Sequence, residues 1–240
     1  EALARWGHSK LGLITPDRFI TLAEENNFIR PLGEWVLAQA CMDAMTWPKD
    51  IRLAVNLSAV QLCNDDIVPV VDRALEKSGF PAERLELEVT ETAMLERDSS
   101  ARALKLLKER GVRLALDDFG TGYAGLSTLT HVAFDKIKID REFVSGLPAN
   151  PMCSAIVNTV IDMAEQIGLK VTAEGVENSE QVEALKLSGC DEAQGYYFAE
   201  PAPLARILKN RAVIAPIAQD EFGDIGLPTQ EIYCPPQKAI

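Results

Sequence analysis

Six separated stretches of the chain, 51–58, 84–91, 113–118, 134–140, 170–177 and 191–198, read as strands, and in the first five side chains of unlike character alternate every second residue. A period of two marks a β-strand whose two faces meet different surroundings. Most of these stretches are separated by segments with helical spacing. Thr15-Pro16 starts a helix, with Thr15 as N-cap, Pro16 at the first helical position and Phe19, Ile20, Leu22 and Ala23 as its buried face. A second helix is expected over about 32–45, before Trp47-Pro48. A long helix begins at Asn150-Pro151 and puts Cys153, Ile156, Val160, Ala164 and Ile167 on one face, and Asn178 with Gln181 has capping-box spacing. Gly111, Gly168 and Gly189 fall where helix C-termini need a residue that tolerates positive φ. Residues 1–6 open the chain with no strand visible before them, and 7–14 read as a loop. Strands alternating with helices predict an α/β fold whose parallel sheet closes into a TIM-like barrel.

Strand phase locates the chemistry. Leu53, Val55 and Leu57 share one face, as do Leu85, Leu87 and Val89, then Leu114 and Leu116, then Ile137 and Ile139. If those faces meet the helices, Asn56, Glu88, Asp117, Lys138 and Glu174 point inward, all near the carboxyl ends of their strands. Ligands bind at that rim in such folds. Taken singly, each has a plain explanation: a turn asparagine, a snorkelling lysine, a loop carboxylate, or, for Asp118, a cap. Their common phase is what argues for a site. The strand 113–118 also stops at Asp117-Asp118, ahead of a glycine-rich turn, and adjacent carboxylates stay ionised when a cation lies between them.

Composition narrows the chemistry. The 240 residues, 47% of them apolar, suit one large domain. A net charge of −12 argues against DNA or an anionic membrane as partner, so an anionic substrate needs metal ions or a few placed cations. Cys41, Cys63, Cys153, Cys190 and Cys234 show no paired spacing, and the odd count suits a reducing, cytoplasmic setting. With only His8 and His131, both read as loop or surface residues, the oxygen donors select Mg²⁺ or Mn²⁺ over zinc. Two such ions would suit phosphodiester hydrolysis, with Lys138 orienting a water and Glu174 holding a metal or taking the proton. A Mg²⁺-dependent barrel lyase with a lysine base fits the same residues.

The motifs resemble those of the EAL-domain family, bacterial phosphodiesterases that open cyclic di-GMP to linear pGpG. The resemblance runs from Glu1 to about Leu208 through Glu1-Ala2-Leu3, Arg5-Trp6, Asn56-Leu57-Ser58, Glu88-Val89-Thr90-Glu91, Asp117-Asp118-Phe119-Gly120-Thr121-Gly122-Tyr123, Lys138-Ile139-Asp140, Glu174-Gly175-Val176-Glu177 and Gln194-Gly195-Tyr196. It implies one metal on Glu1, Asn56, Glu88 and Asp117, and a second on Asp117, Asp118 and Glu174. Lys138 and Glu174 become the catalytic pair, while Arg5, Asp140, Glu177, Gln194 and Tyr196 meet substrate. Glu91 anchors the 118–126 loop, which leads to a homodimer interface. The implied fold is a modified (β/α)8 barrel with one antiparallel strand. Six strands against the eight of a barrel point to missing first strands, and the family's habit points to fusion with sensory or GGDEF domains. Residues 1–210 form the expected domain and 211–240 an irregular tail. A catalytically silent cyclic di-GMP receptor of the same family is the alternative.

Overall fold

The structure is a computed structural model and describes residues 1–62, 67–94, 98–121, 127–204, 206, 224–225 and 230–234, with the backbone alone at 98, 99, 127, 128, 224–225 and 230–234. Cys63, residues 122–126 and most of residues 211–240 lie outside the described residues. Strands β1 (Ala2–His8) and β2 (Gly12–Ile14) form an antiparallel hairpin. Next come α1 (Pro16–Glu25), α2 (Ile29–Ala44), β3 (Leu53–Leu57), α3 (Ala59–Leu62), α4 (Ile67–Ser78), β4 (Leu85–Thr90), α5 (Asp98–Glu109) and β5 (Arg113–Phe119). The remainder comprises α6 (Ser127–His131), β6 (Lys136–Ile139), α7 (Arg141–Ser145), α8 (Pro151–Ile167), β7 (Lys170–Ala173), α9 (Ser179–Leu187), β8 (Glu192–Ala193), β9 (Ala202–Pro203), β10 (Asp224–Ile225) and β11 (Gln230–Cys234). The strands follow the order β10-β8-β7-β6-β5-β4-β3-β1-β11-β9, and every pairing is parallel except that of β2 with β1. This is the expected α/β barrel wall with one antiparallel strand. Among the described residues its two ends do not pair, so the wall is not closed.

The aliphatic strand faces do meet the helices. Leu53, Val55, Leu85, Leu87, Val89, Leu114, Leu116, Ile137 and Ile139 are buried in one core with Leu37, Ala40 and Cys41 of α2, Val71 of α4, Leu104 and Leu107 of α5, and Val157 and Ala164 of α8. That packing turns the alternate residues of each strand toward the barrel axis. Asn150 Oδ1 accepts from the Met152 and Cys153 N–H groups, and Gly168 closes α8 at φ 76°. The Asn178–Gln181 capping box is complete. Among the described helices, none is long and apolar enough to cross a membrane.

Several expectations need correction. Residues 2–8 and 12–14 form strands rather than an opening and a loop, because His8 Nδ1 accepts from the N–H groups of Lys10 and Leu11 and folds a tight hairpin turn. The buried face of α8 is Val157, Val160, Ile161 and Ala164, whereas Ile167 is exposed. On α1 only Phe19 and Ala23 are buried; Leu22 is exposed, and Thr15 occupies the N-cap position without a side-chain hydrogen bond. Helix α2 begins three residues earlier than expected, at Ile29. The strand 170–177 stops at Ala173 because Gly175 takes φ 68°, outside the extended region. The strand 191–198 shrinks to two residues, since a Cβ on Gly195 would overlap the Val176 carbonyl and the chain turns there. At the far end, β10 and β11 add strands to what was expected as an irregular tail.

Candidate active site

Parallel register fixes the level of each rim residue. Asn56 pairs with Glu88 across β3 and β4, Thr90 with Asp117 across β4 and β5, and Lys138 with Thr172 across β6 and β7. Glu174 follows β7 directly and its N–H donates to the Ile139 carbonyl at 3.0 Å. Glu1 stands at the opposite end of its strand, yet reaches the same rim: Ala2 pairs with Val55, so β1 starts two residues short of the end of β3. Asn56 Nδ2 donates to Glu1 Oε1 at 2.6 Å and Gln194 Nε2 to Glu1 Oε2 at 2.8 Å.

Lys138 is the hub. Its buried ammonium lies 2.9 Å from Glu88 Oε1, 2.6 Å from Glu174 Oε1 and 3.4 Å from Asp117 Oδ1. Carboxylate oxygens of Asp117, Asp118 and Glu174 lie within 4.8 Å of one another. Glu88 Oε2 is buried with no hydrogen-bond partner among the described residues. A lone buried acceptor beside other acids is costly unless a cation completes it.

Adjacent strand residues should face opposite sides, yet Asp117 and Asp118 join the same cluster. The register of β5 against β6 slips between Leu116 and Phe119, and Asp118 takes φ 54°. This kink swings the second acid round, and the Asp118 N–H then donates to Asp117 Oδ1 at 3.0 Å. Gly120 continues the turn at φ 96°, and its N–H donates to the buried Glu91 carboxylate at 3.2 Å.

The electrostatics follow from crowding. Burial pushes Glu88 well above the usual carboxylate range. Burial, with repulsion from Asp117, raises Glu174 to about 7 despite the attraction of Lys138. Asp118 is raised to about 6 by burial and by the charges of Asp117 and Asp140. For Glu1, burial alone would raise the pKa, but Lys138 and the bonds from Gln194 and Asn56 help to outweigh it and the net shift is downward. Burial would lower Lys138, yet Glu88, Glu174, Glu1 and Asp117 hold it well above the usual lysine value.

Of the remaining expected residues, Asp140 bonds Asp118 and caps α7 through the Glu142 N–H. Arg5 is half-buried on β1, where Nη1 donates to the Ala4 carbonyl at 3.1 Å. Tyr196 is exposed, and the Glu177 N–H donates to Gln181 Oε1; neither side chain makes a described contact with the acid cluster. His8 is a turn residue, His131 is exposed, and Cys41 and Cys190 are buried.

A second charged layer, not anticipated from the sequence, lies two residues lower on the same strands. Lys136 Nζ lies 2.9 Å from Glu86 Oε1 and 2.6 Å from Glu192 Oε2, Thr172 Oγ1 donates to Glu192 Oε2 at 2.9 Å, and Arg52 lies 3.6 Å from Glu192 Oε1. The signal was present in the doublets Glu86-Leu87-Glu88 and Lys136-Ile137-Lys138, whose charges fall on one face.

Residues 1–201 match the model of the EAL domain family. The chain is an EAL-domain protein. It is 43% identical to the cyclic di-GMP phosphodiesterase NbdA of Pseudomonas aeruginosa over 86% of this chain and 27% of that protein. To the uncharacterized protein y4lL of Sinorhizobium fredii it is 46% identical, over 90% of this chain and 26% of the relative. The chain therefore spans about a quarter of the length of these curated relatives. Among solved structures, the PaMucR phosphodiesterase in complex with c-di-GMP matches with a TM-score of 0.77 at 40% identity, covering 80% of each chain.

Proposed function

We propose that this EAL domain hydrolyses cyclic di-GMP to linear pGpG with two divalent cations, Mg²⁺ or Mn²⁺, held at the rim. One observation carries the reading: five carboxylates, Glu1, Glu88, Asp117, Asp118 and Glu174, gather around Lys138, the one lysine that acts on all of them among the described residues. Fully ionised, they leave four negative charges uncompensated, the complement of two dications. The donors are all oxygen, which suits hard ions, and the unpartnered Glu88 Oε2 awaits one. Glu1, Asn56, Glu88 and Asp117 would hold one ion, and Asp117, Asp118 and Glu174 the other. Bound there, such ions supply Lewis acidity to a phosphoryl oxygen and to the attacking water.

The chain's own groups do the rest. Lys138 orients the water and meets charge developing on the phosphoryl oxygens, and Glu174 accepts the water's proton. Arg5 pairs with a substrate phosphate; Asp140, Glu177, Gln194 and Tyr196 lie near the site or a guanine. Glu91 fixes the turn at Gly120, and a homodimer forms through the 118–126 loop. The catalytic residues all fall within 1–210, and the domain belongs to a longer protein that carries sensory or GGDEF domains. The names of two relatives support that arrangement: a bifunctional diguanylate cyclase/phosphodiesterase, MucR, and an oxygen sensor protein, DosP.

The test is incubation with cyclic di-GMP and Mg²⁺ or Mn²⁺, followed by chromatography. The expected product is pGpG, absent in EDTA, with Asp117→Asn below about 1% of wild-type turnover because a shared ligand is lost. Tight binding without pGpG in either metal overturns the reading in favour of a receptor module.

A further inference from the structure

The rim acids occupy one mouth of the barrel. At the other mouth, where the strands begin, lies a cavity of about 790 Å³ lined by Lys49, Arg52, Arg84, Arg113 and Lys170. Arg52 and Arg84 immediately precede β3 and β4, while Arg113 and Lys170 are the first residues of β5 and β7. Five cations gather in one concavity of a chain whose net charge is −12. Clustered like charges repel, so such a cluster is stabilised by counter-charge.

Carboxylates of the lining supply part of it. Lys170 Nζ lies 2.5 Å from Asp191, and Arg52 lies 3.6 Å from Glu192. The guanidiniums of Arg84, just before β4, and Arg113, on β5, are tethered by backbone carbonyls, with the charge of Asp50 also acting on Arg84. Arg84 donates from Nε to the Ile51 carbonyl at 2.8 Å and from Nη2 to the Pro48 carbonyl at 2.7 Å, with its guanidinium 4.8 Å from the centre of the Phe80 ring. Arg113 Nε donates to the Glu83 carbonyl at 3.3 Å. A carbonyl orients a guanidinium without neutralising it, and the remaining N–H groups form a fork suited to an oxyanion. Lys49 is exposed at the edge.

We propose that this mouth is a binding site for a compact phosphate-bearing anion, separate from the phosphodiesterase centre. The volume fits a small molecule, within the usual range of about 300–1,000 Å³. The lining contains no aliphatic or aromatic side chain, so recognition rests on charge and hydrogen bonds rather than on base stacking. Asp50, Glu83, Asp191 and Glu192 share the wall and repel an extended polyanion such as nucleic acid or a membrane surface. Arg113 pairs with Glu86, two residues beyond Arg84, so the two carbonyl-tethered guanidiniums come from adjacent parts of the wall, and a pyrophosphate group, free or as the tail of a nucleoside polyphosphate, offers several oxyanions to both.

Calorimetric titration in EDTA, without divalent cations, keeps the rim acids uncompensated and repulsive, so the outcome is independent of catalysis. Pyrophosphate and GTP are the two probes. Saturable binding is expected, weakened at least tenfold in Lys49→Gln/Arg113→Gln and several-fold in the exposed single variant Lys49→Gln. Cyclic di-GMP turnover without added anion should be unchanged in both. Equal affinity for the two probes identifies the pyrophosphate group as the whole ligand; tighter GTP binding adds the nucleoside. Amide NMR shifts should map to residues 49, 84 and 113 rather than to 117, 138 and 174. Absent saturation, undiminished affinity in the folded variants, or shifts confined to the rim would each overturn the site.

Discussion

Lys138 serves two masters at the rim: it compensates buried acids in the metal-free protein and is proposed to meet the phosphoryl group during turnover. Replacing it with Met removes the only ammonium that contacts Glu88, Asp117 and Glu174 among the described residues. Loss of one partner from a buried ion cluster costs about 3–5 kcal/mol, and the low end is expected because Glu88 and Glu174 already sit high and can take up protons. Urea denaturation of Lys138→Met in EDTA should show this loss, with most of it restored by Mg²⁺. Unchanged stability in EDTA would show that the ammonium is not what holds the acids together. Protons and metal compete for the same oxygens. With Glu174 raised to about 7 and Asp118 to about 6, metal uptake must displace protons below that range, so affinity rises with pH through it. The folded-state pKa values lie above the unfolded ones, so these two groups favour the metal-free fold at low pH and cease to do so as pH climbs past about 7. The thermal shift induced by Mg²⁺ should therefore be larger at pH 8 than at pH 6. Equal shifts would exclude this competition.

At the level of elements, local chemistry and tertiary context can be separated. The cap of α8 is local: Asn150→Ala deletes the acceptor for the Met152 and Cys153 N–H groups and should lower stability by about 1 kcal/mol, read as a shift in urea midpoint at constant slope. Such caps, the βα alternation and the inward phase of Asn56, Glu88, Asp117 and Lys138 were legible in the sequence because each depends on spacing within one segment. The kink that admits Asp118 was not, since strict alternation sends it to the opposite face and only the slipped register against β6 reverses that. Strand β1 escaped notice for a related reason. Ala2, Ala4 and Gly7 blur its alternation, and its edge is defined by partners far along the chain. The rotation of the α8 face from Cys153 and Ile156 toward Val157 and Ile161 is set by where α8 lies on the sheet, a tertiary fact. Tyr196 and Glu177 gained their expected roles only from the family likeness, and no described contact joins either side chain to the acid cluster.

For the molecule as a whole, the wall around β1 depends on the C-terminal region. β1 pairs with β3 through Ala2 and Val55, but with β11 through five residues from Ala2 to Trp6. Deleting 211–240 should expose that edge, lower the thermal midpoint and weaken Mg²⁺ binding, because Glu1 loses the strand that steadies it. A truncated protein with the same midpoint and metal affinity would make β11 dispensable.

The two tiers of charge along the axis have a consequence for how this interior tolerates change. Rungs two residues apart stand about 6.6 Å from each other, a separation at which unit charges still interact by about 2.5 kcal/mol at an effective dielectric constant of about 20. The column from Glu192 and Lys136 up to Lys138 and Glu174 is thus less an oily plug than a short salt crystal, in which neutralising an ion on the lower storey is expected to shift the acidity of the storey above.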